Sequence, residues 1–186
     1  MKSIYCALLL VAIITIYSFD VPKSWHKAGS DPDKYEMGLD PKAGLNGSNA
    51  ATIQSNESRI RGFGTLMQSM TADKYRGKKI KMTGYMRSEK VKHWAGFWVR
   101  VDGSKSEGSL AFDNMYDRPV KGNTEWAKYE IVLNVPERAT NISFGALLDG
   151  TGKIWFDNIQ FEAIADPSGF KNNKRQPDPA NLNFEE

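Results

Sequence analysis

Lys79-Ile80-Lys81-Met82-Thr83-Gly84-Tyr85-Met86-Arg87-Ser88, followed shortly by Trp94-Ala95-Gly96-Phe97-Trp98-Val99-Arg100-Val101-Asp102, reads as two β-strands. Successive side chains of a strand point to opposite faces, so a period of two separates a core side from an outer side. Ile80, Met82 and Met86 share one parity, and Thr83, Tyr85 and Arg87 the other. In the second segment Phe97, Val99 and Val101 oppose Trp94, Trp98 and Arg100. Neither segment has the 3.6-residue spacing of an amphipathic helix.

The same alternation extends along the chain. Tyr129, Ile131, Leu133 and Val135 form one apolar set, and Ile142, Phe144, Ala146 and Leu148 another. Strands are expected at Tyr35–Leu39, Ala50–Ser55, Gly62–Met70, Lys79–Ser88, Trp94–Asp102, Ser109–Asn114, Trp126–Val135, Asn141–Leu148 and Lys153–Ala163. Asn46-Gly47, Asp102-Gly103, Lys121-Gly122-Asn123 and Asp149-Gly150-Thr151-Gly152 supply turn residues between them. Thr71 to Tyr75 fits one helical turn. Short strands without intervening helices predict an all-β, two-sheet antiparallel β-sandwich of the jelly-roll type. In the last strand Ile154 and Phe156 alternate with Trp155 and Asp157, yet Ile159 and Phe161 continue the parity of Trp155. A bulge near Asp157-Asn158, or burial on both sides, accounts for the switch.

The ends of the chain differ in character from its centre. Met1-Lys2-Ser3 precedes an apolar run from Ile4 to Phe19, so residues 1–19 read as a signal peptide or, if uncleaved, an N-terminal anchor. The run is shorter than the ~18–20 residues that span a bilayer comfortably. Ile16 is bulky for the −3 position of a cleavage after Ser18, which keeps a membrane tether open. Either reading places the domain outside the cytoplasm: secreted, periplasmic or membrane-anchored. Residues 20–34 are expected to be a linker or lead-in, residues 35–165 the jelly-roll domain, and residues 166–186 a polar C-terminal extension.

Composition excludes several classes. The 186 residues are 40% hydrophobic and 25% charged, which argues against disorder. A net charge of +3 with interspersed signs lacks the basic stripe of a nucleic-acid binder, so no nucleic-acid partner is expected. Cys6 is the one cysteine and lies in the apolar run, leaving no thiol chemistry for the folded part. His26 and His93 are the two histidines, and no zinc motif, nucleophile elbow or phosphate-binding glycine pattern occurs.

Three segments resemble galactose-binding-like jelly rolls, the group that includes carbohydrate-binding modules of families 4 and 9. They are Gly150 to Glu162, with its Trp155-Phe156-Asp157-Asn158-Ile159 centre; Tyr75-Arg76-Gly77-Lys78-Lys79-Ile80 followed by Gly84-Tyr85; and Trp126-Ala127-Lys128-Tyr129 with Val135-Pro136. Trp94–Gly103, Ala111–Met115 and Phe144–Gly152 are similar, in order, to motifs of an uncharacterised bacterial jelly-roll group, whose domains occur alone and attached to regulators. The likeness covers roughly residues 35 to 165. It implies a polysaccharide or oligosaccharide ligand. It also implies a structural calcium at Asp157, shared with an acidic residue near the first strand such as Glu36 or Asp40.

Trp94, Trp98 and Tyr85, with Arg100 and Arg87 beside them, fall on non-core parities of strands that fit as neighbours. Flat aromatic rings with a few hydrogen-bonding groups suit the apolar faces of sugars. Burial of these rings under a covering layer is the competing reading. Asp113, Asn114, Asp117 and Arg118 form a polar cluster that either contacts a ligand or caps its own turns. The expected function is a non-catalytic extracytoplasmic module that binds carbohydrate or a similar polar ligand on a sheet face. The alternative is a structural or sensory domain that contacts another protein. A glycoside hydrolase with paired carboxylates is a weaker third.

Overall fold

The computed structural model describes residues 19–164 and 179–186. Nine strands occur among them: β1 (His26–Gly29), β2 (Tyr35–Asp40), β3 (Ala50–Ser55), β4 (Phe63–Thr71), β5 (Lys78–Asp102), β6 (Ser109–Asp113), β7 (Val120–Val135), β8 (Asn141–Asp149) and β9 (Lys153–Ile164). All pairings are antiparallel. The described helical structure is confined to short turns at Pro32–Lys34 and Leu45–Gly47.

The two strands expected at 79–88 and 94–102 are one strand of 25 residues, β5. Its first half pairs with β9 on one side and β7 on the other, and its second half pairs with β8 and β6. Two layers result, β2-β3-β9-β5-β7 and β1-β4-β8-β5-β6, with β5 passing from one to the other. The passage lies at Ser88 to Val91, where the register against β7 shifts and Lys90 takes a φ of 52°. Asn123 Oδ1 accepts from the Lys90 amide at 2.7 Å and holds that bend.

Inner-face parities agree with the sequence reading. Ile80, Met82 and Met86 from the first layer meet Phe97, Val99, Val101, Ile142 and Phe144 from the second in one core. Phe97 packs edge-on to Phe156 at 6.0 Å, and Phe144 to Phe161 at 4.7 Å. Burying each such ring contributes about 1.5–3 kcal/mol. The parity switch in β9 is a bulge: the register against β5 jumps between Thr83 and Tyr85, and Asn158 has a φ of 51°. This places Asp157 outward and returns Ile159 and Phe161 to the core side.

Both flanks differ from expectation. The lead-in contains β1, which pairs with β4, and Trp25 just before it is buried. Four residues without alternation carry no strand signature, so Trp25 was the available cue. The C-terminal extension is not wholly a surface feature either. Phe184 is fully buried, its ring 5.2 Å from that of Trp25 and 5.3 Å from that of Phe156. Trp25 Nε1 donates to the Asn181 carbonyl at 3.2 Å, and the Ile159 amide donates to that of Leu182 at 3.0 Å. The apolar run 4–19 lies, apart from Phe19, outside the described residues, among which no helix is long and apolar enough to cross a membrane.

Tyr35 ties the loops at one end of the sandwich. Its buried hydroxyl lies 2.8 Å from the Gly62 carbonyl and 2.9 Å from that of Gly150. Its pKa is raised well above the usual tyrosine range, first by burial and then by the negative charge of Asp149. Tyr35→Phe is expected to cost about 1–3 kcal/mol in denaturant unfolding near neutral pH. A raised folded pKa favours the neutral form, so this contribution is complete below the unfolded pKa of ~10 and declines as pH rises above it. The deficit of the variant therefore narrows in alkaline titration. An equal deficit at every pH would contradict the assignment.

Candidate functional site

The outer parities of β5 lie on opposite sides of the molecule, because the strand changes layer between them. Tyr85 and Arg87 face outward from the first layer, whereas Trp94, Trp98 and Arg100 face outward from the second. The expected shared groove of Trp94, Trp98 and Tyr85 is therefore not formed.

Trp94 and Trp98 retain 7% and 8% exposure and pack with Leu147, Phe63 and Met67 in a second apolar cluster. Trp98 Nε1 donates to Thr65 Oγ1 at 2.9 Å, so its one polar atom is satisfied internally. Arg100 is turned onto Asp102 at 3.0 Å. The cluster at 113–118 is likewise closed on itself. Asp113 Oδ1 accepts from the Met115 amide at 2.8 Å, and Asn114 Oδ1 from the Tyr116 amide at 3.2 Å. Arg118 spans Asp113 at 2.7 Å and Asp117 at 2.8 Å, pairings that raise its pKa further, and it also donates to the Glu130 carbonyl. Asx turns and internal ion pairs account for every member of this cluster.

The proposed calcium ligands do not gather. Asp157 Oδ2 accepts from the Leu45 amide at 3.1 Å and Ser48 Oγ at 2.8 Å, while Oδ1 accepts from the Asn158 amide at 2.6 Å. Asp40 Oδ2 accepts from Trp155 Nε1 at 2.7 Å and Lys153 Nζ at 3.1 Å. Glu36 stands on β2 opposite Gln54. Calcium needs six to eight oxygen lone pairs in one place. Asp157 and Asp40 face N–H and O–H donors instead, and no three metal-ligating side chains cluster among the described residues. The residues present do not fit the ion; Asp157 pins the β2–β3 connection to the β9 bulge.

The remaining candidates, Tyr85 and Arg87, lie on the most chemically unusual surface of the molecule. Across the first layer Thr52, Trp155 and Arg87 stand in register, with Trp126 of β7 on the far side of Arg87. The Arg87 guanidinium carbon is 4.0 Å from the Trp155 ring centre and 5.6 Å from that of Trp126. Lys153 Nζ is 4.4 Å from the same Trp155 ring. Trp155 is only 8% exposed and forms the floor, while Trp126 is half-buried and offers part of its ring. Arg87 Nε is buried and has no acceptor. Depressions of about 510 Å³ beside Trp155 and Glu89, and about 440 Å³ beside Tyr85 and Asn158, flank the row. On the β2 side Phe19 and Asp20 cross over Gly38, where a Cβ would lie 2.5 Å from the Asp20 carbonyl oxygen. The face is thus bounded by chain on one side, with Arg87 and Trp126 half-buried on the other.

The parity of the Tyr129–Val135 set already places Trp126 outward, so this residue was within reach of the sequence. That Trp155, Arg87 and Trp126 share a row required the register between β9, β5 and β7.

No family model matches the chain. The solved structures it resembles include the CBM22-1 xylan-binding domain from Paenibacillus barcinonensis Xyn10C, at 10% identity and a TM-score of 0.56, covering 80% of this chain and 91% of that one. The fold is a jelly roll. The Stig cyclase Fisc from Fischerella sp. TAU is similar at 15% identity and a TM-score of 0.57, over 80% of this jelly roll and 88% of that chain. Binding modules and an enzyme therefore share the architecture, and fold alone does not choose between them. In sequence the jelly roll is 39% identical over 170 residues to the uncharacterized HTH-type transcriptional regulator YbfP of Bacillus subtilis (strain 168). The match covers 88% of this chain and 57% of that protein, so the chain spans little more than half the length of the relative.

Proposed function

We propose that the chain is a non-catalytic binding module that holds a carbohydrate, or a polar ligand of similar shape, on the outer face of the first layer. The observation that carries this reading is Arg87, set over the Trp155 ring and close to Trp126, with a buried Nε that no oxygen of the described residues accepts from. Guanidinium–indole stacking is worth about 0.5–2 kcal/mol and fixes the plane of the donors. Trp126 supplies a partly exposed ring against which a sugar face can lie. Trp155 and Asp40 act as positioning residues. Carboxylates of this face are engaged as acceptors, which supports binding over acid–base chemistry. The fold shared with the xylan-binding domain supports the same reading. We place the module outside the cytoplasm, a reading supported by the charged-then-apolar order of Met1 to Phe19 and tested by mass spectrometry of the mature N-terminus.

A glycan-array screen followed by calorimetry tests the proposal. Trp126→Ala is expected to weaken binding at least ~10-fold without loss of the folded state. Absence of binding to any glycan would remove the carbohydrate reading.

A sensory or protein-contacting module is the second reading, favoured by the likeness to a regulator and by the exposure of Phe112 (53%) and Tyr116 (71%). It predicts no glycan binding and a loss of self-association or partner binding on Tyr116→Ser.

A further inference from the structure

Resting on the reading of this face as a glycan site, we infer that its ligand carries a carboxylate: a uronic-acid sugar seated on the terminal Nη edge of Arg87. Three acidic side chains beside the row, Asp40, Asp157 and Glu89, are already engaged. Asp40 accepts from Trp155 and Lys153, Asp157 from the β2–β3 connection and the Asn158 amide, and Glu89 pairs with Lys90 at 2.9 Å. Among the described residues no carboxylate pairs with Arg87, and the rings it meets are the two indoles. Of its nitrogens Nε alone is buried and unpaired, so the terminal Nη groups are the donors that reach solvent.

An arginine fixed in plane by stacking presents two parallel N–H groups from its edge. That geometry matches a planar carboxylate, which accepts both at once through charge-assisted bonds roughly twice as strong as those to a neutral hydroxyl. Partial removal of the guanidinium from water raises the benefit of an anionic acceptor over a neutral one. The Glu89 carboxyl is held below the usual carboxylate range, first by its hydrogen bond to Lys90, with Lys153 and Arg87 adding to the effect. Lys128, paired across from Tyr85, adds an exposed positive charge one row further along the face. The half-exposed Trp126 ring supplies the stacking surface for the ring that bears the acid.

The test compares a short oligogalacturonate with its fully methyl-esterified form, which keeps the ring and removes the charge, by calorimetry on the full chain. The acid is expected to bind at least ~10-fold more tightly than the ester, and added salt should narrow the gap. Arg87→Gln should abolish the difference, while Lys128→Gln should preserve most of it. Equal binding of acid and ester, or binding of neutral glycans alone, overturns the uronate assignment and leaves the glycan reading standing. A preference lost in Lys128→Gln but kept in Arg87→Gln overturns the assignment to Arg87. Failure of every glycan on the array removes both. The acid–ester contrast on the unmodified chain decides the question even if Arg87→Gln does not fold.

Discussion

Phe184→Ala is expected to lower unfolding stability by about 3–5 kcal/mol, the range for truncating a fully buried phenylalanine. The ring lies between Trp25 and Phe156, at 5.2 and 5.3 Å, and has no exposed surface. Its removal takes away apolar burial and leaves a space that the two neighbouring rings are too constrained to fill. In a chain of this size such a loss corresponds to a fall in Tm of roughly 6–20 °C. Calorimetry or denaturant unfolding measures it. A surface extension would give a change within about 0.5 kcal/mol, and that result would refute the packing of the C-terminal segment. Trp25→Ala should not add independently to Phe184→Ala, since the two rings touch.

The second large effect lies at Gly145, in the middle of β8. Met67 of β4 and Trp98 of β5 are its partners across the sheet. A Cβ at this position would lie 2.2 Å from the Leu66 carbonyl oxygen and 3.0 Å from the Met67 Cα. These are backbone atoms of a paired strand, so no rotamer change relieves the clash. Relief requires parting β4 from β8 along a ladder that runs from Phe63–Asp149 to Thr71–Asn141. Gly145→Ala is therefore expected to cost more than ~4 kcal/mol or to leave the chain unfolded, which circular dichroism and solubility would register. Gly47→Ala, in a turn with open space around its Cα, is the comparison; its cost comes only from a φ of 83° and should be about 1–2 kcal/mol. Near-equal stability of the two variants would contradict the close approach at Gly145.

Much of the architecture was legible because alternation in this chain is clean. The inner parities of β5, β7 and β8 were readable, and so was the bulge at Asp157-Asn158, since a period-two pattern that changes phase needs an extra residue. The crossing of β5 between layers was not legible. Glu89 to His93 reads as a connection, and nothing in Glu89-Lys90-Val91 distinguishes a loop from a kinked strand. That single step displaced the expected site: Trp94 and Trp98 were correctly placed off the core, yet on the far surface from Tyr85. Arg87 was named for its parity and keeps its place, but its partners are set by register. Asp40 was named for a cation and instead accepts from an indole and an ammonium group. Sequence gives an acid's position; only its neighbours say whether donors or a metal fill its lone pairs.

The meeting of Trp25 with Phe184 also has a mechanical side. Lys23 Nζ and Glu186 Oε2 lie 3.4 Å apart, so the segment before β1 and the described C-terminal residues meet at one pole. A pull through these two segments would load the Asp20 contact to β2 and the Trp25–Phe184 contact before β1 could part from β4. Tension on these segments would reach both layers, through β1 and β4 on one side and through the Asp20–Leu39 and Glu185–Asn49 contacts at the margin of the Arg87 face on the other.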